Sequence, residues 1–190
     1  MRTDEIIERA LGFGAVQNRE ELTFLLNFLI PRRIHHVLEI GTERGGTFSI
    51  WQEIATGKKI SIDIPTSASP FVAQPERDLA RFCLQRDDSF FIEANSHSDA
   101  AFNKVLEILK DESLDLLFID GDHHYEDVYE DFYSYRMLVQ HEGVIVFHDV
   151  MDTEEHRGQM NGAVRFWQEL TGNKIETMHQ YGIGILEVGG

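Results

Sequence analysis

The sequence predicts an α/β fold built on a mainly parallel, doubly wound sheet. Three observations carry this reading. Short apolar runs of strand type alternate with amphipathic segments of helical period from residue 36 onward. Two of those runs, Leu116-Leu117-Phe118-Ile119 and Val144-Ile145-Val146-Phe147, are wholly apolar, as buried strands are. The last two runs are separated only by His179-Gln180-Tyr181-Gly182, a link too short for a crossover, which forces an antiparallel hairpin.

The elements follow in order. Asp4 to Leu11 is a short amphipathic helix. Asn18 caps a second, with Glu21 at the capping-box position and Leu22, Leu25, Leu26 and Leu29 on its apolar face; Pro31 ends it. His36 to Ile40 reads as a strand, Gly46 to Ala55 as a helix and Lys59 to Ile64 as the next strand. Residues Pro65 to Pro75 hold three of the four prolines and read as a loop. Glu76 to Gln85 is helical, Phe90 to Glu93 a strand and Ala100 to Lys110 a helix with Val105, Leu106 and Leu109 in phase. Leu114 to Ile119 is the strongest strand, Tyr125 to Val139 a helix, and Gly143 to Phe147 another strand. Gly162 to Leu170 is helical; Lys174 to Met178 and Ile183 to Val188 close the chain as the hairpin. No linker or repeat divides the sequence, so residues 1–190 form one domain, with N-terminal helices over 1–35 and the α/β core over 36–190.

A length of 190 residues and 42% apolar content suit one domain with a full core. A net charge of −16 argues against nucleic acid and anionic membrane, both of which need a basic footprint. No apolar run approaches the roughly 20 residues that span a bilayer. The N-terminus lacks the apolar region of a signal peptide, so a cytoplasmic location is expected. Cys83 is the only cysteine and lies in an amphipathic stretch, where a buried structural thiol is expected.

The chemistry concentrates where strands end. Leu116-Leu117-Phe118-Ile119 runs into Asp120-Gly121-Asp122-His123-His124-Tyr125-Glu126, and Val144-Ile145-Val146-Phe147 into His148-Asp149. Two such clusters at neighbouring strand ends imply one polar site at the carboxyl edge of the sheet, where open α/β sheets bind ligands. Asp120, Asp149 and His148 are the candidate ligands of a hard divalent cation, Mg²⁺ or Mn²⁺. His123 is the candidate general base; Asp122, His124, Glu126 and Asp127 read as helix cap and surface.

A second site precedes these clusters. Val37-Leu38-Glu39-Ile40-Gly41-Thr42-Glu43-Arg44-Gly45-Gly46-Thr47 is a strand, a glycine-rich turn and a helix start, which lets backbone approach a ligand. It is neither a dinucleotide fingerprint nor a phosphate loop, because Glu43 stands at the second glycine position and no Gly-Lys-Ser/Thr follows. Glu39 would repel a pyrophosphate and suit a cationic ligand. Asp63, about 20 residues past the turn, can accept both ribose hydroxyls. Together they describe a nucleoside that carries positive charge. Ser96 and Ser98, after the third strand, could contact its base, although Ser98 serves equally as a helix cap. The stripe Tyr125, Tyr129, Phe132 and Tyr133 reads as core, and His35, His36, His97, His141, His156 and His179 carry no second feature.

Taken together, Phe-Ile-Asp-Gly-Asp-His-x-Tyr-Glu at 118–126, Gly-x-Ile-Val-x-His-Asp at 143–149 and Glu-Ile-Gly-Thr-x-x-Gly-Gly-Thr at 39–47 resemble the class I S-adenosylmethionine-dependent methyltransferases. Within them the chain is similar to the small metal-dependent O-methyltransferases of the macrocin O-methyltransferase and cephalosporin hydroxylase-like branch, from about Val37 to Val188. The resemblance implies a three-layer Rossmann-like sheet of seven strands, the last antiparallel. It implies that Glu39, Gly41, Thr42 and Gly45 hold the methionine part of S-adenosylmethionine, that Asp63 binds the ribose, and that Asn95 and Ser96 lie near the adenine. It also implies that Asp120 serves both cofactor and metal, beside His148 and Asp149, and that His123 is the catalytic base. The chain departs from the pattern at His148, where relatives carry an acid or amide, and in its short N-terminal section. The implied partner is a small-molecule hydroxyl acceptor, with a homodimer as an option. A metal-dependent hydrolase and a cofactor-binding module without turnover are the alternatives; Glu39 and Asp63 weigh against the first, the intact Asp120, His123 and Asp149 set against the second.

Overall fold

A computed structural model describes residues 2–65, 81–158, 161–177 and 179–189. The chain opens with α1 (Thr3–Gly12) and α2 (Arg19–Leu29), then alternates β1 (Val37–Ile40), α3 (Gly46–Ile54), β2 (Lys59–Asp63), β3 (Ser89–Glu93), α4 (Asp99–Leu109), β4 (Leu114–Ile119), α5 (Tyr125–Tyr135) and β5 (Val139–His148). It closes with α6 (Glu154–Gly158), α7 (Gly162–Glu169), β6 (Asn173–Glu176) and β7 (Ile183–Glu187).

The strands form one seven-stranded sheet in the order β3-β2-β1-β4-β5-β7-β6. β1 pairs in parallel with β2 and β4, with Ile40 level with Ile62 and Ile119. β7 is antiparallel to both of its neighbours, as the short final link requires. The order reverses between β1 and β4, which places the switch point of the sheet at Ile40 and Ile119.

The side-chain period of two divides each strand between two cores. Leu38, Ile40, Leu117, Ile119, Ile145 and Phe147 meet α4, α5 and α7 on one face. Val37, Leu116, Phe118, Val144 and Val146 meet α1, α2 and α3 on the other. Each fully buried side chain of this size contributes about 1.5–3 kcal/mol. Covering both faces is what permits the wholly apolar strands β4 and β5.

Asn18 caps α2 as expected: its side chain accepts from Glu21 N, and the Glu21 carboxylate accepts from Asn18 N. Other expectations need correction. The helix expected to reach Val139 ends at Tyr135; a 3₁₀ turn follows, and β5 starts at Val139, which pairs with Leu114. Cys83 is exposed rather than buried, because fully buried Leu84 takes the inward position of that turn while Phe82 faces outward. In the tyrosine stripe Phe132 is buried, but Tyr129 and Tyr133 are exposed. The loop expected over Pro65–Pro75 and the helix start at Glu76 lie almost wholly outside the described residues.

Candidate active site

The carboxyl ends of β1, β2, β4 and β5 converge on two neighbouring constellations. The first is the glycine turn after β1. Gly41 has φ 85°, and a Cβ there would lie 1.9 Å from the Asp120 carbonyl oxygen, so the ends of β1 and β4 can meet at the switch point only through a residue without a side chain. Glu43 and Gly45 also take left-handed conformations, and Gly45 caps α3. Asp63, at the end of β2, accepts from the Glu43 backbone amide at 2.9 Å, and Thr42 hydrogen-bonds Ser61. The turn and the end of β2 therefore form one rigid edge. Asn95 and Ser96 follow β3 on the same edge. The Asn95 side chain accepts from His97 N, and the Ser96 carbonyl accepts from the Tyr135 hydroxyl at 2.7 Å.

Glu39 is placed otherwise than expected. It is fully buried beneath the turn and accepts from the Thr47 hydroxyl on α3. Its Oε2 has no partner. Burial pushes its pKa up to about 8 against the weaker pull of the Thr47 hydroxyl. It braces the turn from below and has no face open to a ligand.

The second constellation joins the ends of β4 and β5. Ligand atoms of Asp120, His123 and Asp149 lie within 4.8 Å of one another. His123 Nε2 is 2.9 Å from Asp149 Oδ2, and its half-exposed ring faces outward while Asp149 is buried. Asp149 itself adopts φ 61°, a left-handed conformation at the end of β5. His148 Nδ1 donates to Asp120 Oδ1 at 3.1 Å and lies 3.3 Å from Asp149 Oδ2. With that nitrogen directed at both carboxylates and Nε2 facing Glu21 at 3.9 Å, His148 stands behind the converging group instead of among its ligand atoms.

Electrostatics follow from this packing. Burial works against the charge on Asp149, but hydrogen bonds from His123 and His148 outweigh it and hold the carboxyl well below its ordinary range. The hydrogen bond to Asp149 raises the His123 pKa above its usual value, against a smaller effect of burial. Burial alone would lower the pKa of His148; Asp120, Asp149 and Glu21 raise it well above the ordinary value.

Three participants had no sequence signal as site residues. Buried Gln17, between α1 and α2, donates from Nε2 to Asp120 Oδ2 at 2.7 Å. Glu21, seen in the sequence only as a cap, accepts from the Tyr181 and Gly182 amides at 3.0 and 2.7 Å and so ties α2 to the turn before β7. His156, on α6, lies 3.2 Å from Asp149 Oδ1. Asp122, expected to cap the helix, accepts from His124 N in a turn just before it; with His124 and Asp127 it makes a second, exposed cluster. No helix among the described residues is long and apolar enough to cross a membrane.

The comparisons bear on the family and the fold. Residues 38–150, which hold every strand end described above, match the family model for a methyltransferase domain. An uncharacterized protein of Acanthamoeba polyphaga mimivirus is 34% identical over 118 residues, 60% of this chain and 51% of that protein. One from Sinorhizobium fredii is 27% identical over 173 residues, 86% of this chain but 18% of that protein. The chain thus spans about half or less of the curated relatives it matches. Among solved structures, a Staphylococcus aureus protein described as a putative caffeoyl-CoA O-methyltransferase superposes with a TM-score of 0.73 at 17% identity, covering 100% of this chain and 93% of that one. The Bacillus cereus O-methyltransferase in complex with SAH gives 0.63 at 17% identity, over 98% and 90% of the two chains. The mycinamycin-pathway enzyme MycE, with Mg, SAH and mycinamycin VI, gives 0.63 at 13% identity, over 98% and 54%. With the family model covering the whole edge from the glycine turn to Asp149, the chain belongs to the methyltransferase-domain family.

Proposed function

We propose that the protein transfers a methyl group from S-adenosylmethionine to a hydroxyl of a small molecule, with help from a divalent cation. The observation that carries this reading is the placement of the Asp120, His123 and Asp149 cluster beside the turn that Asp63 braces, so that a cationic nucleoside and a hydroxyl acceptor would meet at one edge. Neighbours of the same fold have been solved with SAH, and MycE with Mg as well, which supports both parts of the reading.

The residues fit both groups. The left-handed turn at Gly41 to Gly45 gives close backbone approach, and Asp63 offers a carboxylate to ribose hydroxyls. Asp120 and Asp149 offer converging carboxylate oxygens; Gln17 and His148 hydrogen-bond Asp120 in the way metal-ligating carboxylates usually are braced, and His156 Nε2 stands 3.2 Å from Asp149 Oδ1. A bound Mg²⁺ or Mn²⁺ would fix the acceptor oxygen and lower its hydroxyl pKa.

Asp149 holds the His123 ring through Nε2, which leaves Nδ1 to take the hydroxyl proton. Bound S-adenosylmethionine would supply the methyl group, which would pass to the deprotonated oxygen while the electron pair of the broken carbon–sulfur bond stayed with sulfur. His123 releases the proton to solvent, to which its half-exposed ring is open. Holding both reactants in line supplies much of the acceleration, with effective molarities of about 10⁵ M or more in well-oriented systems.

The test is transfer of labelled methyl from S-adenosylmethionine to a panel of catechol, sugar and polyketide hydroxyls, with and without chelator. Transfer that falls on chelation and in Asp120→Ala supports the reading. Full activity of Asp120→Ala in chelated buffer would remove the cation from it, and hydrolysis of an ester or amide without methyl transfer would favour a metal-dependent hydrolase.

A further inference from the structure

The segment after β5 returns to the site through one side chain. His156 is almost fully buried on α6, and both of its ring nitrogens have polar neighbours. Nδ1 donates to the Met151 carbonyl at 2.5 Å, and Nε2 lies 3.2 Å from Asp149 Oδ1. Its face stacks on Tyr181 at 5.1 Å with the rings 29° apart. Its own backbone is fixed as well: the amide donates to the Thr153 hydroxyl, and its carbonyl accepts from Asn161 N at 2.9 Å.

This arrangement divides the Asp149 carboxylate between two imidazoles. Oδ2 faces His123, the half-exposed ring, and Oδ1 faces His156, the buried one. Asp149 needs such a brace. Its φ of 61° is uncommon for a residue with a side chain and persists only where surrounding contacts impose it. The Met151 carbonyl and Tyr181 hold the ring, which places Nε2 against Oδ1, while Oδ2 faces His123 and the converging group with Asp120.

We infer that His156 is a positioning residue: it orients Asp149 for the divalent cation and for His123, and it joins residues 151–158 to the site. The inference rests on the cation-assisted reading above. Outer-shell partners of this kind are worth about 10–100-fold in metal affinity or activity.

The experiment measures Mn²⁺ affinity of the full chain by electron paramagnetic resonance, with S-adenosylhomocysteine affinity by calorimetry as the check of folding. His156→Phe keeps an aromatic face for Tyr181 and loses both polar contacts; His156→Gln keeps a polar group able to reach Asp149. The expected result is a loss of about 10–100-fold in Mn²⁺ affinity for the Phe variant and recovery to within about threefold for Gln, with S-adenosylhomocysteine binding unchanged in both. Wild-type affinity in the Phe variant, or equal loss in Phe and Gln, would overturn the inference alone. No Mn²⁺ uptake by the unmodified chain would overturn the cation reading together with it. His156→Leu is the second apolar variant should the Phe ring not be accommodated.

Discussion

His123 Nε2 lies 2.9 Å from Asp149 Oδ2, so a half-exposed imidazole at the start of α5 is held by a buried carboxylate at the end of β5. The pair makes His123 a stronger base than an isolated histidine. Replacing Asp149 with Asn keeps the side-chain size and removes the charge that orients and polarises the ring. Steady-state kinetics should show kcat reduced by about 10²–10⁴-fold, while S-adenosylhomocysteine affinity, read by calorimetry, stays near wild type.

The same pair sets the pH dependence. The hydrogen bond to Asp149 raises the His123 pKa, so the proton is retained to higher pH than the ordinary 6.5. Activity should therefore rise with pH through a midpoint above that value and fall on the acid side, where His123 is already protonated. Stability runs the other way. A raised folded-state pKa contributes stability that is present below the unfolded value and is lost as pH climbs through the folded one. In His123→Gln the acid limb should vanish from any residual activity, and denaturant titrations should show less loss of stability above neutral pH.

Glu39 makes a separate prediction about the turn. Its pKa of about 8 against a usual 4.5 means that the folded protein holds a proton the unfolded chain releases between those values. Stability should fall as pH rises from 5 to 9 for this reason. Glu39→Gln keeps the Thr47 contact and cannot ionise, so its urea midpoint should change less over that range and exceed wild type at pH 9. A slope identical to wild type would mean that Glu39 is charged in the fold.

Gly41→Ala tests the close approach of β1 and β4. The added carbon would fall 1.9 Å from the Asp120 carbonyl oxygen at a φ of 85°, two faults that each require backbone movement. A destabilisation of about 2–4 kcal/mol by urea unfolding is expected, with loss of S-adenosylhomocysteine binding.

Most of the scaffold was legible because each strand is a local apolar run with turn residues beside it. Asp120, His123 and Asp149 could be read for the same reason, since each stands within four residues of a strand end. The rest of the site was not legible, because long-range packing makes it. Gln17 meets Asp120 across 103 positions, and Glu21 meets Gly182 across 161, so neither has a local signature. His156 stands alone in the sequence and gains a role only when the segment after β5 folds back onto Asp149. Glu39 was visible as an acid at a strand end, but the alternation of one strand could not tell a carboxylate facing a ligand from one tucked under α3. Cys83 lay in a segment whose apolar residues admit more than one buried face, and Leu84 took it.

The measurement that bears most directly on the account is calorimetric titration of the full chain with S-adenosylhomocysteine, for wild type and Asp63→Ala. One-site binding by wild type is expected, weakened about 10–100-fold in Asp63→Ala through loss of hydrogen bonds to a charged group. An absence of binding heat for wild type, at several temperatures and with Mg²⁺ or Mn²⁺ present, would contradict the account.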